Sequence, residues 1–169
     1  MRKNLVLLGM MGVGKSTTGK IVAKKLGMKF IDTDTNIEEK SSMKISEIFN
    51  KKGEKFFRIK EEKEVLESLK KEKSVISLGG GAFINKNIRN AILKNAISVW
   101  LDVDLKTLNE RTKHNMKRPL LDKNNNRMKI NELYYKRKNV YELANYKINC
   151  DNLDKKKIAE KIIILYEKN

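Results

Sequence analysis

A glycine-rich segment near the start of the chain constrains the fold more than any other feature. Residues 9–20 read GMMGVGKSTTGK and fit the pattern G-x-x-x-x-G-K-[ST], which ends here at Lys15 and Ser16. The segment follows an apolar run and opens a helical pattern over Lys15–Leu26, as this motif requires. Backbone N–H groups of such a loop can surround phosphate oxygens, and the positive end of the following helix faces them. We therefore predict a loop that binds the phosphates of a nucleoside triphosphate.

The residues of this loop have predicted roles. Lys15 would reach the β- and γ-phosphates, and the Ser16 hydroxyl would be a ligand of Mg²⁺. The predicted ATP-binding residues of the segment are Gly12, Val13, Gly14, Lys15, Ser16 and Thr17.

The loop alone does not distinguish a motor ATPase, a switch GTPase and a small-molecule kinase. The sequence has no NKxD-type base-reading motif of the kind that GTPases carry. VWLDVD is the nearest candidate for the acidic strand end of a motor ATPase, through Asp102. We interpret Asp102 instead as a strand-end residue that caps the next helix.

Short apolar runs alternate with helical patterns along the whole chain. Such alternation predicts an α/β fold with a five-stranded parallel sheet flanked by helices. The predicted strands are Asn4–Gly9, Lys29–Asp32, Ser74–Gly81, which runs into a glycine turn, Ile97–Asp102 and Tyr146–Cys150. Ligands of such folds bind beyond the carboxyl ends of the strands. Three polar or glycine clusters follow strands in this way, namely Gly9–Gly14, Asp32–Asp34 and Gly79–Gly81.

The charge of the chain is strongly positive. Lys and Arg total 38 against 21 Asp and Glu, which gives a net charge of +17. This charge leaves a basic nucleic-acid-binding ATPase as one open alternative. The lysines are spread over the chain rather than gathered in one block, and aromatic residues are only 7%. We therefore expect no nucleic-acid partner.

Cysteine content and hydropathy bear on location. The chain has one cysteine, Cys150, so an internal disulfide is impossible, and we expect a small half-buried side chain on a late strand. No apolar run approaches the ~20 residues of a membrane span. Leu5–Leu8 is too short for the apolar part of a signal peptide. We expect a cytoplasmic protein without a membrane partner.

Six motifs in order resemble those of the shikimate kinases, which are small P-loop kinases of the nucleoside-monophosphate-kinase type. The match extends over nearly the whole chain. The motifs are GMMGVGKSTTGK, FIDTD (Phe30–Asp34), GEKFFRIKE (Gly53–Glu61), SLGGGA (Ser77–Ala82), RPLL (Arg118–Leu121) and YYKRKNVYELA (Tyr134–Ala144).

This resemblance implies a three-layer P-loop kinase fold and ATP-dependent phosphorylation of the 3-hydroxyl of shikimate, on the route to chorismate and aromatic amino acids. The length fits a single kinase domain over residues 1–169, and because no sequence feature indicates an obligate interface we expect a monomer. Within that domain we expect a substrate-binding helical segment at about residues 33–61 and a mobile lid at about residues 112–127. A related kinase of gluconate or of a nucleotide is the alternative.

The chemistry of several residues suits a hydroxylated carboxylate substrate. Arg58 and Arg137 offer forked guanidinium donors for its carboxylate. Glycines let a ligand approach bare backbone, and the predicted substrate-binding set is Asp34, Arg58, Gly79, Gly80, Gly81 and Arg137. Asp34 can accept a hydrogen bond from the reacting hydroxyl and orient it, or take its proton. The resemblance puts Asp32 beside Ser16 at the Mg²⁺ shell.

The lid supplies a further predicted catalytic residue. Arg118 would join Lys15 and Asp34 in catalysis by sharing the charge of the transferred group, and it would also contact ATP. Arg111 matches the family's adenine-stacking arginine, and His114 is expected to be exposed to solvent. Whether Glu61 buttresses Arg58 stays open. Asn139 departs from the proline that the family usually has.

Overall fold

Five short parallel strands form the centre of the protein. The computed structural model describes residues 3–112 and 126–169. The strand order is β2-β3-β1-β4-β5, and every neighbouring pair is parallel. The strands are β1 (Asn4–Leu8), β2 (Lys29–Asp32), β3 (Ser74–Ser77), β4 (Ala96–Asp102) and β5 (Tyr146–Asn149). The predicted five-stranded parallel sheet is therefore confirmed, with strand ends that differ by a few residues.

Seven α-helices lie within the described ranges and flank the sheet. The first helix packs with the last, the third packs with both the second and the fourth, and the fifth packs with the sixth. The helices are α1 (Lys15–Leu26), α2 (Thr33–Ser41), α3 (Ile45–Leu69), α4 (Lys86–Asn95), α5 (Leu105–Thr112), α6 (Asn126–Tyr141) and α7 (Lys155–Glu167).

The central strands are buried on both faces. Every residue of β1, β3 and β4 is buried, which explains why they read as continuous runs and not as an alternation of polar and apolar residues. β3 ends at Ser77, earlier than the predicted Gly81, because the chain turns there into a 3₁₀ turn over Ala82–Ile84. No helix of the described ranges is long and apolar enough to cross a membrane.

Helix α3 is broken at one residue. Gly53 has φ 82° and ψ 167°, so two helical segments meet there at an angle rather than continuing as one. A glycine suits this position because a side chain is strained at positive φ. Beside the break lies a small apolar cluster of Ile37, Ile48 and Phe57, which is separate from the main core.

Candidate active site

The phosphate-loop motif connects β1 to α1 and keeps its lysine folded over the loop. Lys15 is only 8% exposed, and its Nζ donates to the carbonyl oxygens of Gly9 and Met10, each at 2.9 Å. Gly14 caps α1 in the left-handed conformation at φ 94°. A side chain at Gly12 (φ 78°) would come within 2.9 Å of Thr112. The glycines thus permit the tight path that brings the lysine ammonium to the centre of the loop.

A serine and an aspartate from neighbouring elements meet at the start of α1. Ser16 Oγ donates to Asp32 Oδ2 at 2.5 Å and lies 3.3 Å from Ser77 Oγ. The other carboxylate oxygen of Asp32 accepts from the Thr35 N–H at 3.2 Å and caps α2. Asp32 therefore presents one oxygen to its helix and one to Ser16. Hydroxyl and carboxylate oxygens are the donors that Mg²⁺ prefers, so this pair fits the predicted metal.

The three consecutive glycines after β3 lie at the centre of the site. The Gly79 N–H donates to Thr33 Oγ1 at 3.1 Å, and that hydroxyl donates to the Ser77 carbonyl at 3.2 Å. Thr33 therefore fastens the glycine turn to the first turn of α2, which also carries Asp34. As a result Asp34 faces Gly79, where a Cβ atom would lie 2.5 Å from Asp34 Oδ1.

Arg58 reaches the same turn from the second half of α3. A Cβ atom at Gly81 would lie 2.6 Å from Arg58 Nη1. The guanidinium donates to Glu61 at 2.7 Å and, through Nε and Nη2, to Glu54 at 3.2 and 3.1 Å. Glu61 therefore does buttress Arg58, and Glu54 holds it from the other side.

Arg137 approaches the turn from α6. Its side chain is 6% exposed, and a Cβ atom at Gly80 would lie 3.4 Å from Arg137 Nη1. The same added atom would lie 3.6 Å from the Gly9 carbonyl oxygen and the Met11 nitrogen. Gly80 is therefore packed between the phosphate loop and the arginine, with no room for a long side chain.

The buried carboxylate of Glu61 balances these charges. Glu61 is 1% exposed. Burial raises the pKa of Glu61, the charge and hydrogen bond of Arg58 lower it, the charge of Asp34 raises it and that of Arg137 lowers it. The net direction is upward because burial is the largest cause. One acid thus faces both predicted substrate arginines and the predicted catalytic aspartate.

A cleft of about 440 Å³ opens in front of the two arginines. It lies between α3, the 3₁₀ turn and α6, and its charged lining is predominantly basic. The lining residues are Glu54, Arg58, Gly81, Ile84, Asn85, Lys129, Glu132, Leu133, Lys136 and Arg137. A cavity of this size and charge suits a small anion with several polar groups.

Other predicted residues lie around this centre or outside the described ranges. Arg111 is exposed in the last turn of α5, and its Cβ would lie 3.9 Å from a Cβ placed at Gly12. Arg118 and His114 lie outside the described residues. Cys150 is more buried than predicted, directly after β5, and burial raises the pKa of its thiol to about 12.

Asp102 ends β4, as predicted, but the prediction that it caps the next helix is wrong. The residue that caps α5 is Asp104, whose Oδ1 accepts from the Thr107 N–H at 2.6 Å. Asp102 still belongs to β4, so its carboxylate meets groups from neighbouring elements. It forms an ion pair with Lys147 Nζ at 3.0 Å and accepts a hydrogen bond from the Tyr134 hydroxyl at 3.3 Å.

Comparison with known proteins assigns this arrangement to a family. Residues 11–167 match the family model described as Shikimate kinase. A shikimate kinase of Sulfurihydrogenibium sp. (strain YO3AOP1) is 48% identical over 161 residues, which cover 95% of this chain and 96% of that protein. This chain belongs to the shikimate kinase family. The resemblance and the kinase class that the motifs predict are thereby confirmed.

Solved structures agree with this assignment. The shikimate kinase from Acinetobacter baumannii in complex with shikimate matches with a TM-score of 0.94 and 34% identity, covering 99% of this chain and 94% of that chain. A gluconokinase from Sinorhizobium meliloti 1021 matches with a TM-score of 0.60 and 15% identity, covering 99% and 93%. At that identity the second likeness concerns the fold alone. The three-layer P-loop kinase fold is confirmed.

Sequence reasoning missed two residues of the site. Thr33 was not singled out, although its hydroxyl links α2 to the glycine turn. Tyr141 was not singled out either, although its hydroxyl donates to the Gly80 carbonyl. A signal for Tyr141 exists in its spacing, since it follows Arg137 by four residues and shares its helix face.

Proposed function

We propose that this protein transfers the γ-phosphoryl group of ATP to the 3-hydroxyl of shikimate, which gives shikimate 3-phosphate and ADP. Membership of the shikimate kinase family supports the proposal. The observation that carries it is the convergence of Asp34, Arg58 and Arg137 on Gly79–Gly81, directly beside the phosphate loop.

The two arginines are the proposed ligands of the substrate carboxylate. Guanidinium groups bind carboxylates in a forked geometry, and Arg58 and Arg137 approach the glycine turn from different helices. Glu54 and Glu61 hold Arg58 before substrate arrives, which reduces the side-chain freedom lost on binding. The relative whose structure matches is described as a complex with shikimate, in line with such a site.

The proposed chemistry needs position and charge more than covalent steps. Asp34 would accept a hydrogen bond from the 3-hydroxyl, aim its oxygen at the γ-phosphorus and take the proton as the new P–O bond forms. Lys15 would share the negative charge of the transferred group. Its ammonium is already at the loop, since the Gly9 and Met10 carbonyls hold it there.

Ser16 and Asp32 are the proposed residues for Mg²⁺. The Ser16 hydroxyl would be a direct ligand. Asp32, whose carboxylate accepts a hydrogen bond from that hydroxyl, would contribute to the metal shell. When bound, Mg²⁺ supplies positive charge at the phosphates.

The remaining parts of the assignment complete the proposal. Residues 1–169 would form one kinase domain, in which about residues 33–61 bind substrate and about residues 112–127 close as a lid carrying Arg118. Arg111 would stack on adenine. We propose a monomer, since no sequence feature indicates an obligate interface, and a cytoplasmic location, where the single cysteine stays reduced.

The deciding experiment measures ADP release by the purified protein with Mg²⁺ and ATP. Shikimate, gluconate and nucleoside monophosphates are compared as acceptors, and shikimate 3-phosphate is identified by mass spectrometry. Stimulation by shikimate alone is the expected result. Stimulation by another acceptor, or by none, would mean that the phosphate loop is assigned correctly and the substrate pocket is not.

A further inference from the structure

A buried tyrosine lies where the phosphate loop, the glycine turn and the substrate arginine meet. Tyr141 is the last residue of α6 and is 1% exposed. Its hydroxyl donates to the Gly80 carbonyl and lies 3.8 Å from Met10 Sδ. Its ring packs against Trp100, with 5.8 Å between ring centroids. The ring would fill this space equally well as phenylalanine, so the hydroxyl needs a separate explanation.

The hydrogen bond controls the direction of a peptide group. In a trans peptide the carbonyl and the following N–H point in opposite directions. The bond from Tyr141 pulls the Gly80 carbonyl toward α6 and so turns the Gly81 N–H away from it. Gly81 lines the cleft in front of Arg58. The tyrosine hydroxyl thereby fixes the orientation of a peptide group in the wall of the space where the substrate is proposed to bind.

The same hydroxyl also faces the buried arginine. Arg137 precedes Tyr141 by one helical turn, and its Nη1 lies 3.4 Å from the Cβ position of Gly80. Burial raises the pKa of Tyr141 to about 12, while the charge and the hydrogen bonding of Arg137 oppose this rise. Two further charges act on the phenol: that of Glu61 raises its pKa, and that of Arg58 lowers it. The phenol therefore stays protonated near neutral pH and remains a donor to the Gly80 carbonyl.

We propose that Tyr141 is a positioning residue for substrate binding, which uses its hydroxyl to orient the Gly80–Gly81 peptide and to hold Arg137. It acts through these two groups and touches no reacting atom. This inference rests on the proposed function, because it takes Gly81 and Arg137 as ligands of the substrate.

Replacement of the hydroxyl alone is the test. Tyr141→Phe is compared with Tyr166→Phe, which removes another buried hydroxyl that donates to a backbone carbonyl, that of Lys3 at 2.8 Å, far from the glycine turn. The loss of one hydrogen bond weakens a binding constant by about three- to tenfold. We expect Tyr141→Phe to raise the KM and the Kd for shikimate by that factor and leave the KM for ATP within about twofold. Tyr166→Phe lowers the melting temperature only.

Two further variants complete the design. Arg137→Lys tests the site itself. If this variant leaves the KM for shikimate unchanged, the proposed role of Arg137 in binding shikimate is wrong. If Arg137→Lys raises the KM but Tyr141→Phe does not, the positioning role alone is wrong. In the double variant, a fold-increase in KM equal to the product of the fold-increases of Arg137→Lys and Tyr141→Phe would show independent action and overturn the link to Arg137.

A rescue variant keeps the test valid if Tyr141→Phe does not fold. Tyr141→p-aminophenylalanine retains the ring and a donor to the Gly80 carbonyl. A KM for shikimate near that of the unmodified protein supports the proposal. A KM as high as that of Arg137→Lys would contradict it, because the donor would then be present without its effect.

Discussion

Gly79 offers a sharp test of how Asp34, the proposed catalytic aspartate, is held. In Gly79→Ala the new methyl group would lie 2.5 Å from Asp34 Oδ1 and 3.0 Å from Glu61 Oε1. The φ of Gly79 is outside the left-handed region, so alanine adds no backbone strain. Ordinary contact begins at 3.4 Å, so the Asp34 oxygen must move by 3.4 − 2.5, or about 0.9 Å.

A shift of this size is large for catalysis and small for folding. Misplacement of a reacting group by about 1 Å can cost about 100-fold in rate. We expect Gly79→Ala to lower kcat by about 10- to 100-fold, or about 1.4–2.7 kcal/mol in activation free energy. The melting temperature should change little, because the displaced carboxylate is the end of a side chain.

The assay is steady-state ADP release with shikimate and ATP, together with thermal melting. Gly27→Ala is the matched control, since Gly27 ends α1 at φ 63° with no atom within 4 Å of the added methyl. It should lower stability by about 1 kcal/mol through backbone strain and leave kcat unchanged. A Gly79→Ala protein with kcat within about twofold of the unmodified protein would refute the reasoning.

Three further predictions concern charged residues of the site. Lys15→Met should abolish turnover in the ADP-release assay, because the charge that neutralises the transferred group is gone; measurable turnover above about 1% would contradict this. Arg58→Ala should raise the Kd for shikimate in calorimetry by at least about tenfold and leave ATP binding intact, with unchanged shikimate affinity as the contrary result. For Glu61, whose folded pKa is raised, the stabilising contribution is present below the unfolded pKa of about 4.3 and is lost as pH rises through the folded pKa. The melting temperature of the unmodified protein should therefore fall relative to that of Glu61→Gln from pH 4 to pH 7, and a constant difference would contradict the sign.

Much of the sheet could be predicted because its strands carry their own signal. β1 and β4 are continuous apolar runs, and both are buried throughout. Strand ends were less certain because hydrogen bonds beyond the strand decide them. The chain leaves the sheet after Ser77, and the glycines that follow begin a 3₁₀ turn.

The site was predictable only through the order of its motifs. Arg58 and Arg137 stand in lysine-rich helices, where residue type and spacing alone favour a solvated face. Which face of each helix meets the glycine turn depends on long-range packing that no local pattern encodes. Tyr141 and Thr33 were missed for the same reason. Along the chain, Tyr141 lies 61 residues from its partner Gly80, and Thr33 lies 46 and 44 residues from its partners Gly79 and Ser77. The cap of α5 was mispredicted because one acid, Asp102, ends β4 and another, Asp104, follows it, and only the start of α5 shows that Asp104 is the cap.

The separate apolar cluster beside Gly53 has a consequence for the energetics of opening. Ile37, Ile48 and Phe57 hold the segment between β2 and the second half of α3 together without sharing side chains with the main core. A cluster this small stores only a fraction of the free energy that stabilises the sheet. We therefore expect the segment to be less stable than the sheet and to unfold locally while the five strands stay paired. Substrate that binds Arg58 and Asp34 would be linked thermodynamically to that local equilibrium and would stabilise the segment by mass action.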